Sequence, residues 1–225
     1  MTFSIAGWCE RSGSVGVAIT TSSICVGARC PWVQARVGAV STQNVTLPSI
    51  GPMILEWIER GADAKRALDQ IMAGPVQADY RQVTVVDARG RVAHFTGTKT
   101  LGTHAVATGA GSVAAGNLLR HDAVPAAMIE SFEAGADLHL GARLLGALEA
   151  GVAAGGEQGP THSAALLVAH EQPWPLVDLR VDWDDGDPVA RLRRLWTAYE
   201  PQIEDYVTRA LDPASAPSYG VPGDP

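Results

Sequence analysis

The chain opens on two apolar runs of strand length, Phe3-Ser4-Ile5-Ala6-Gly7-Trp8 and Val15-Gly16-Val17-Ala18-Ile19, separated by a polar turn from Cys9 to Gly13. Runs that alternate or stay apolar on either side of a glycine-ended turn predict an antiparallel hairpin. A lone hairpin cannot hide either of its faces, so this one needs further strands beside it and apolar elements over it. The rest of the chain supplies both. Short strands are expected at 24–27 and 36–42 around Pro31-Trp32, and a hairpin at 82–87 and 92–96 about Ala88-Arg89-Gly90-Arg91. Two more strands are expected at 104–109 and 111–116. Ser163-Ala164-Ala165-Leu166-Leu167-Val168 is apolar enough for a central strand, with 176–183 as its partner.

Between the strands lie helical patterns. Pro48-Ser49-Ile50-Gly51-Pro52 leads into a helix over 53–59 that stops at Gly61. A second, over 63–72, places Ala64, Ala67, Leu68 and Ile71 at helical spacing. Helices are expected again at 122–133 and at 137–153, the latter with Leu138, Leu144, Leu145 and Leu148 as its buried stripe. A last helix, capped by Asp187, should run from 188 to about 209. The order is strands, helix pair, strands, helix pair, strands, helix, which predicts an α+β fold. Helix pairs laid on the outside of two antiparallel sheets would give a four-layer αββα sandwich. No repeat or linker divides the chain, so one domain is expected over 1–210, with residues 211–225, rich in Pro, Ser and Gly, as a disordered tail.

Composition narrows the function. The 225 residues, 46% of them hydrophobic, are enough for a sizeable core. A net charge of -7 with no block of Lys or Arg argues against nucleic acid or an anionic membrane surface as partner. No apolar run of about 18 residues suggests a span, and the start lacks the basic and apolar regions of a signal peptide, so a cytoplasmic protein is expected. Cys9, Cys25 and Cys30 are too few and too irregularly spaced for a disulfide framework or a zinc site, and read as small buried hydrophobes. The six histidines show no ligand spacing, and Gly109-Ala110-Gly111 lacks the third glycine of a dinucleotide site; neither a metal nor a cofactor is expected. No Gly-x-Ser-x-Gly elbow follows a strand.

One residue at the start carries chemistry of its own. Thr2 stands directly behind Met1, and if Met1 is removed Thr2 becomes the N-terminus. A terminal Thr holds a nucleophile and a base on one residue, since its hydroxyl can attack a carbonyl while its α-amine takes the proton. That amine titrates near pH ~7.7–8.0, within reach of its neutral form. Taken alone the position reads first as that of an ordinary second residue, since short motifs are weak signals. The antiparallel hairpin brings Thr20-Thr21-Ser22-Ser23, four hydroxyl residues in a row, to the same end as Thr2.

A series of short motifs then resembles a known family. Thr2-Phe3-Ser4-Ile5, Gly16-Val17-Ala18, Val26-Gly27-Ala28, Gly38-Ala39-Val40-Ser41-Thr42-Gln43, Tyr80-Arg81-Gln82-Val83, Phe95-Thr96-Gly97, Ala115-Gly116-Asn117, Leu144-Leu145 with Ala147-Leu148-Glu149-Ala150-Gly151, Ala154-Gly155-Gly156, Ser163-Ala164-Ala165-Leu166-Leu167-Val168 and Leu179-Arg180-Val181-Asp182 look, in this order, like the DUF1028 family. That family's fold is similar to the N-terminal nucleophile (Ntn) hydrolases. The resemblance therefore implies an Ntn-like fold and an amidohydrolase acting on a small amide or peptide-like bond through Thr2. Longer relatives add a C-terminal segment similar to peptidoglycan-binding modules, and cell-wall binding is not carried over to this chain.

If the comparison holds, amide cleavage assigns roles. Asn117 is the first candidate donor to the developing oxyanion, its alternative being a turn cap. Ser22 and Ser23 could orient the amine. Gln43 and Asn44 could read the substrate or complete the oxyanion site, and Gln82 could join them or point to solvent. His121, just after Asn117, and His162, at the mouth of a core strand, are further candidates beside ordinary structural roles. The rival reading is a non-catalytic Ntn-fold protein that binds a small metabolite or a protein partner. Pro31-Trp32 and Pro173-Trp174-Pro175 suggest aromatic anchors on stiffened loops, and a homodimer with Trp32 or Trp174 in its interface is expected.

Overall fold

The fold is seen in a computed structural model, which describes residues 1–221. Ten strands form two antiparallel sheets. In chain order they are β1 Thr2–Trp8, β2 Val15–Thr21, β3 Pro31–Gln34, β4 Gly38–Asn44, β5 Arg81–Asp87, β6 Val92–Thr96, β7 Ala105–Gly109, β8 Ser112–Asn117, β9 Ser163–Ala169 and β10 Val177–Val181. The larger sheet has the order β10-β9-β2-β1-β8-β7, and the smaller β3-β4-β5-β6. The N-terminal hairpin is present as expected, and it lies in the middle of the larger sheet: β1 pairs with β2, Thr2 opposite Thr21, and with β8, Thr2 opposite Asn117.

The helices are α1 Ile50–Glu59, α2 Ala64–Met72, α3 Val124–Ala134, α4 Leu140–Ala153, α5 Pro188–Tyr199 and α6 Ile203–Leu211. Three apolar clusters hold them to the sheets. Phe3 and Ile5 of β1 meet Phe132, Leu144, Leu148 and Trp196 from α3, α4 and α5. Val40, Val83 and Val85 of the smaller sheet meet Ile54, Leu68 and Ile71 from α1 and α2. The third cluster joins strands of both sheets, with Ala6, Val17 and Ile19 against Ala39 and Val86. The two-residue period of β1 explains the division: Phe3 and Ile5 point to the helices, whereas Ser4 and Ala6 point to the other sheet. Thr2 shares the parity of Ser4.

Gly16 shows how closely the helices approach. A Cβ built there would lie 2.7 Å from Leu144 Cδ1 and 2.8 Å from the Leu167 carbonyl oxygen. Backbone cannot move aside as a side-chain tip can. Gly16→Val should therefore destabilise the protein by about 1–3 kcal/mol, seen as a lower urea midpoint with an unchanged slope; an unchanged midpoint would show that α4 is not pressed on β2.

Several local expectations are corrected. Residues 24–27 are not a strand: Cys25 takes a left-handed backbone (φ 54) ahead of a 3-10 turn over Val26–Ala28. The following strand starts at Gly38, because Arg36 (φ 63) turns the chain between β3 and β4. Pro31-Trp32 is itself part of a strand, but one on the sheet edge, where a missing N–H is tolerated. Leu138 is exposed rather than buried, since α4 begins only at Leu140 after a His139 cap. The last helix breaks at Pro201, whose ring and missing N–H end α5 before α6 starts. Trp32 is half-buried on α1 at Gly51, and Trp174 is left 39% exposed. Past α6, residues 212–221 carry neither helix nor strand, and 222–225 of the expected disordered tail lie outside the described residues. Among the described residues no helix is long and apolar enough to cross a membrane.

Candidate active site

The pairing of β1 fixes what surrounds Thr2. Its side chain is buried, and its hydroxyl Oγ1 donates to the Met1 carbonyl oxygen at 2.6 Å and lies 3.0 Å from Thr21 Oγ1. Thr21 Oγ1 also donates to the Met1 carbonyl oxygen. One carbonyl is thus held between two hydroxyls at the end of the hairpin.

Behind this pair runs a buried amide network that links the two sheets. Ser4 Oγ donates to Gln43 Oε1 at 2.6 Å, Gln43 Nε2 donates to Gln82 Oε1 at 2.8 Å, and Asn117 Nδ2 donates to the same Gln82 oxygen at 3.1 Å. Backbone carbonyls, which can only accept, set the orientation of the amides: Gln82 Nε2 faces Gly116 O at 3.1 Å and Gln43 Nε2 faces Ala115 O at 3.2 Å. Asn117 Nδ2 is consequently committed to Gln82, and its Oδ1 is buried with no hydrogen-bond partner among the described residues. Directly after it Leu118 takes a left-handed backbone, φ 50. Removing the centre of the network, Gln43→Leu, leaves Ser4 Oγ and Gln82 Oε1 short of partners and should cost about 1–3 kcal/mol, measurable by urea unfolding; a neutral result would mean that solvent reaches these groups.

Glu157 is the residue that the sequence concealed. It sits in the Gly-rich break after α4, tied back by a bridge to Leu119, and it is 3% exposed. Neither carboxylate oxygen has a hydrogen-bond partner among the described residues. Burial pushes its pKa up to about 8, against the opposing pull of the chain's amino terminus and the Ser22 backbone N–H. That N–H comes near the carboxylate without completing a bond of ordinary geometry. Glu157 also lines a pocket of about 280 Å³ with Phe3, Arg120, Gly156, Gly159 and Thr161. Its only sequence signal was an acidic side chain between glycines.

The other candidates divide. Thr2, Gln43, Gln82 and Asn117 are brought together. Ser22 contributes its backbone N–H towards Glu157, whereas Ser23 is exposed, its carbonyl oxygen accepting from Ser163 Oγ at 2.6 Å and its backbone N–H donating to Thr21 Oγ1 at 3.4 Å. Thr21, rather than either serine, touches Thr2. Asn44 ties loops together, donating to Tyr80 O at 2.7 Å and accepting from the Leu101 N–H at 3.3 Å. His121 is exposed beside Gly155. The His162 backbone N–H donates to Thr21 O at 2.8 Å, but its ring stacks on Trp183 at 4.4 Å between centroids. Among the described residues no group of three His, Cys, Asp or Glu is placed to hold a metal. A cavity of about 710 Å³ lies at the opposite end of β1 among Trp8, Cys9, Arg11, Glu133 and Arg143.

The fold and this site define a mixed α/β protein of two antiparallel sheets, with Thr2 buried at a strand end against the Thr21 hydroxyl. Residues 2–192 match a family described as a family of unknown function, DUF1028, and the chain belongs to it. Protein SPO2555 from Silicibacter pomeroyi, a DUF1028 protein of known crystal structure, is similar at 31% identity and a TM-score of 0.81, over 88% of each chain. Anbu, an ancestral beta-subunit from Yersinia bercovieri, aligns at 9% identity and a TM-score of 0.37 over 91% of this chain and 97% of its own. No curated protein matches the chain.

Proposed function

We propose that the layers form a four-layer αββα sandwich of the Ntn type, and that the protein is an amidohydrolase whose nucleophile is Thr2, uncovered by removal of Met1. The observation that carries this reading is the carbonyl at the site: the Met1 carbonyl oxygen accepts from both the Thr2 and Thr21 hydroxyls. Thr21 Oγ1, 3.0 Å from Thr2 Oγ1, holds a carbonyl oxygen beside the attacking hydroxyl, where it can meet the oxyanion that attack develops.

In the reaction, Thr2 Oγ1 bonds to the substrate's carbonyl carbon as the carbonyl electron pair moves onto oxygen, and the Thr2 amine takes the hydroxyl proton. Thr21 Oγ1 is the donor to that oxyanion. The carbon–nitrogen bond then breaks and the leaving amine departs with the proton. Water, deprotonated by the same amine, attacks the ester, and Thr2 Oγ1 recovers a proton as the acid is released. Asn117 takes a different role from the expected oxyanion donor. Its amide nitrogen is occupied by Gln82 and its free Oδ1 lies on the strand opposite Thr2, so it accepts a hydrogen bond from the liberated amine.

The test combines intact mass with a panel of small amide substrates. Protein that lacks Met1 should hydrolyse at least one member. A population that retains Met1 throughout, or processed protein inert to the whole panel while still binding its members, would favour a binding protein instead.

A further inference from the structure

The reading of Thr2 as nucleophile leaves open what the substrate carries, and here Met1 is informative. It is an aminoacyl group attached to the Thr2 nitrogen, and its three parts each meet a different feature. The carbonyl oxygen is held by Thr2 and Thr21. The side chain lies on Gly159, where a Cβ would come within 2.9 Å of Met1 Cε and 3.4 Å of Sδ. The amino group is close enough to act electrostatically on Glu157. An acyl group carried on Thr2 Oγ1 would lie one nitrogen-to-oxygen displacement away, in the same surroundings.

Glu157 has no partner in this arrangement. It is almost wholly buried, both oxygens lack a hydrogen bond among the described residues, and it lines a pocket with Phe3 and with Gly159, the residue on which the Met1 side chain lies. Arg120 and Asp187, the other charged groups at this pocket, are exposed at its rim. Burial makes this acid costly to ionise without a partner, and an ammonium supplied by a ligand lowers that cost, so that it binds as the proton leaves. A carboxylate-bearing or simple acyl substrate would leave it unrelieved or add repulsion.

Resting on the Thr2 reading, we infer that the site takes α-aminoacyl amides with a free amino group, the ammonium paired with Glu157, the carbonyl on Thr21 and an apolar side chain on Gly159. The inference names a substrate class, and it holds or fails by binding as well as by turnover.

The test uses Thr2→Ala protein, shown by mass to lack Met1, so that ligand is not consumed. Calorimetry compares L-methioninamide with N-acetyl-L-methioninamide. The free amine should bind at least about tenfold tighter, the size expected of one charge-assisted contact. Adding Glu157→Gln should abolish that preference while the melting temperature shows the protein still folded. Equal or tighter binding of the acetylated ligand, no binding of either, or a preference that survives Glu157→Gln would each overturn the inference. Turnover separates it from the reading beneath it. With Thr2 intact, binding of the free amine without hydrolysis leaves the inference standing and sinks the hydrolase. Hydrolysis of acetylated amides in preference, or a Glu157→Gln loss equal for both ligands, does the reverse.

Discussion

Thr2→Ala is expected to lower amide hydrolysis by processed protein by roughly 10³-fold or more, because it deletes the atom on which the proposed mechanism forms its covalent intermediate. Stability should hardly follow. In the processed chain the Thr2 hydroxyl keeps only its contact with Thr21 Oγ1, worth about 1 kcal/mol, so the melting temperature should fall by no more than a few degrees. Thr2→Ser, which keeps an oxygen and a terminal amine, should retain measurable turnover. The three proteins are compared by intact mass, kcat/KM and thermal melting. Hydrolysis that persists in the alanine variant would place the chemistry elsewhere.

A second large effect is expected from Glu157→Gln, in the pH dependence of stability. Below pH 4.5, the ordinary value, the carboxyl is neutral in folded and unfolded chains alike. As the pH rises the unfolded chain loses its proton, whereas the folded chain keeps it until about pH 8. The folded state binds the extra proton across this window, so stability falls with rising pH, by up to roughly 1.4 kcal/mol per unit. Above about pH 8 the contribution levels off. Glutamine cannot titrate, and the variant should therefore escape this decline. Urea midpoints of the two proteins should lie closest near pH 4 and diverge towards pH 8, with the variant the more stable. Curves that stay parallel throughout would show that solvent reaches the carboxylate.

The sequence was most legible where a period of two met a clear boundary. The N-terminal hairpin, the 82–96 hairpin and the apolar run from Ser163 lie where expected, because their side chains alternate between clusters or are buried on both faces. Within the site, Gln43 and Gln82 were legible as amide side chains inside strand patterns, and each is directly opposite the other in the ladder. Glu157 was not, since a residue between glycines has no period to assign it a direction. Its isolation became visible only once the Leu119 bridge folded the break over Phe3. The sequence brought Thr20 to Ser23 to the Thr2 end without setting the register: the last ladder pair is Thr2 with Thr21, which puts the Thr21 hydroxyl on Thr2 and leaves Ser22 and Ser23 beyond the strand. His162 is held by a contact of another kind. The Trp183 ring stacked on it comes from the end of the partner segment, and strand pairing alone does not report that two rings will stack.

The place of β1 between β2 and β8 also sets a clock on synthesis. Its first neighbour follows within one turn, but the other side of Thr2 is covered only by Asn117. At roughly 5–20 residues per second, a growing chain holds its first residues uncovered for on the order of ten seconds. Any enzyme that trims Met1 has easy access during that interval, before the sheet closes and Thr2 is buried. Maturation of the nucleophile would thus be a matter of timing on the ribosome, decided before the protein can fold around it.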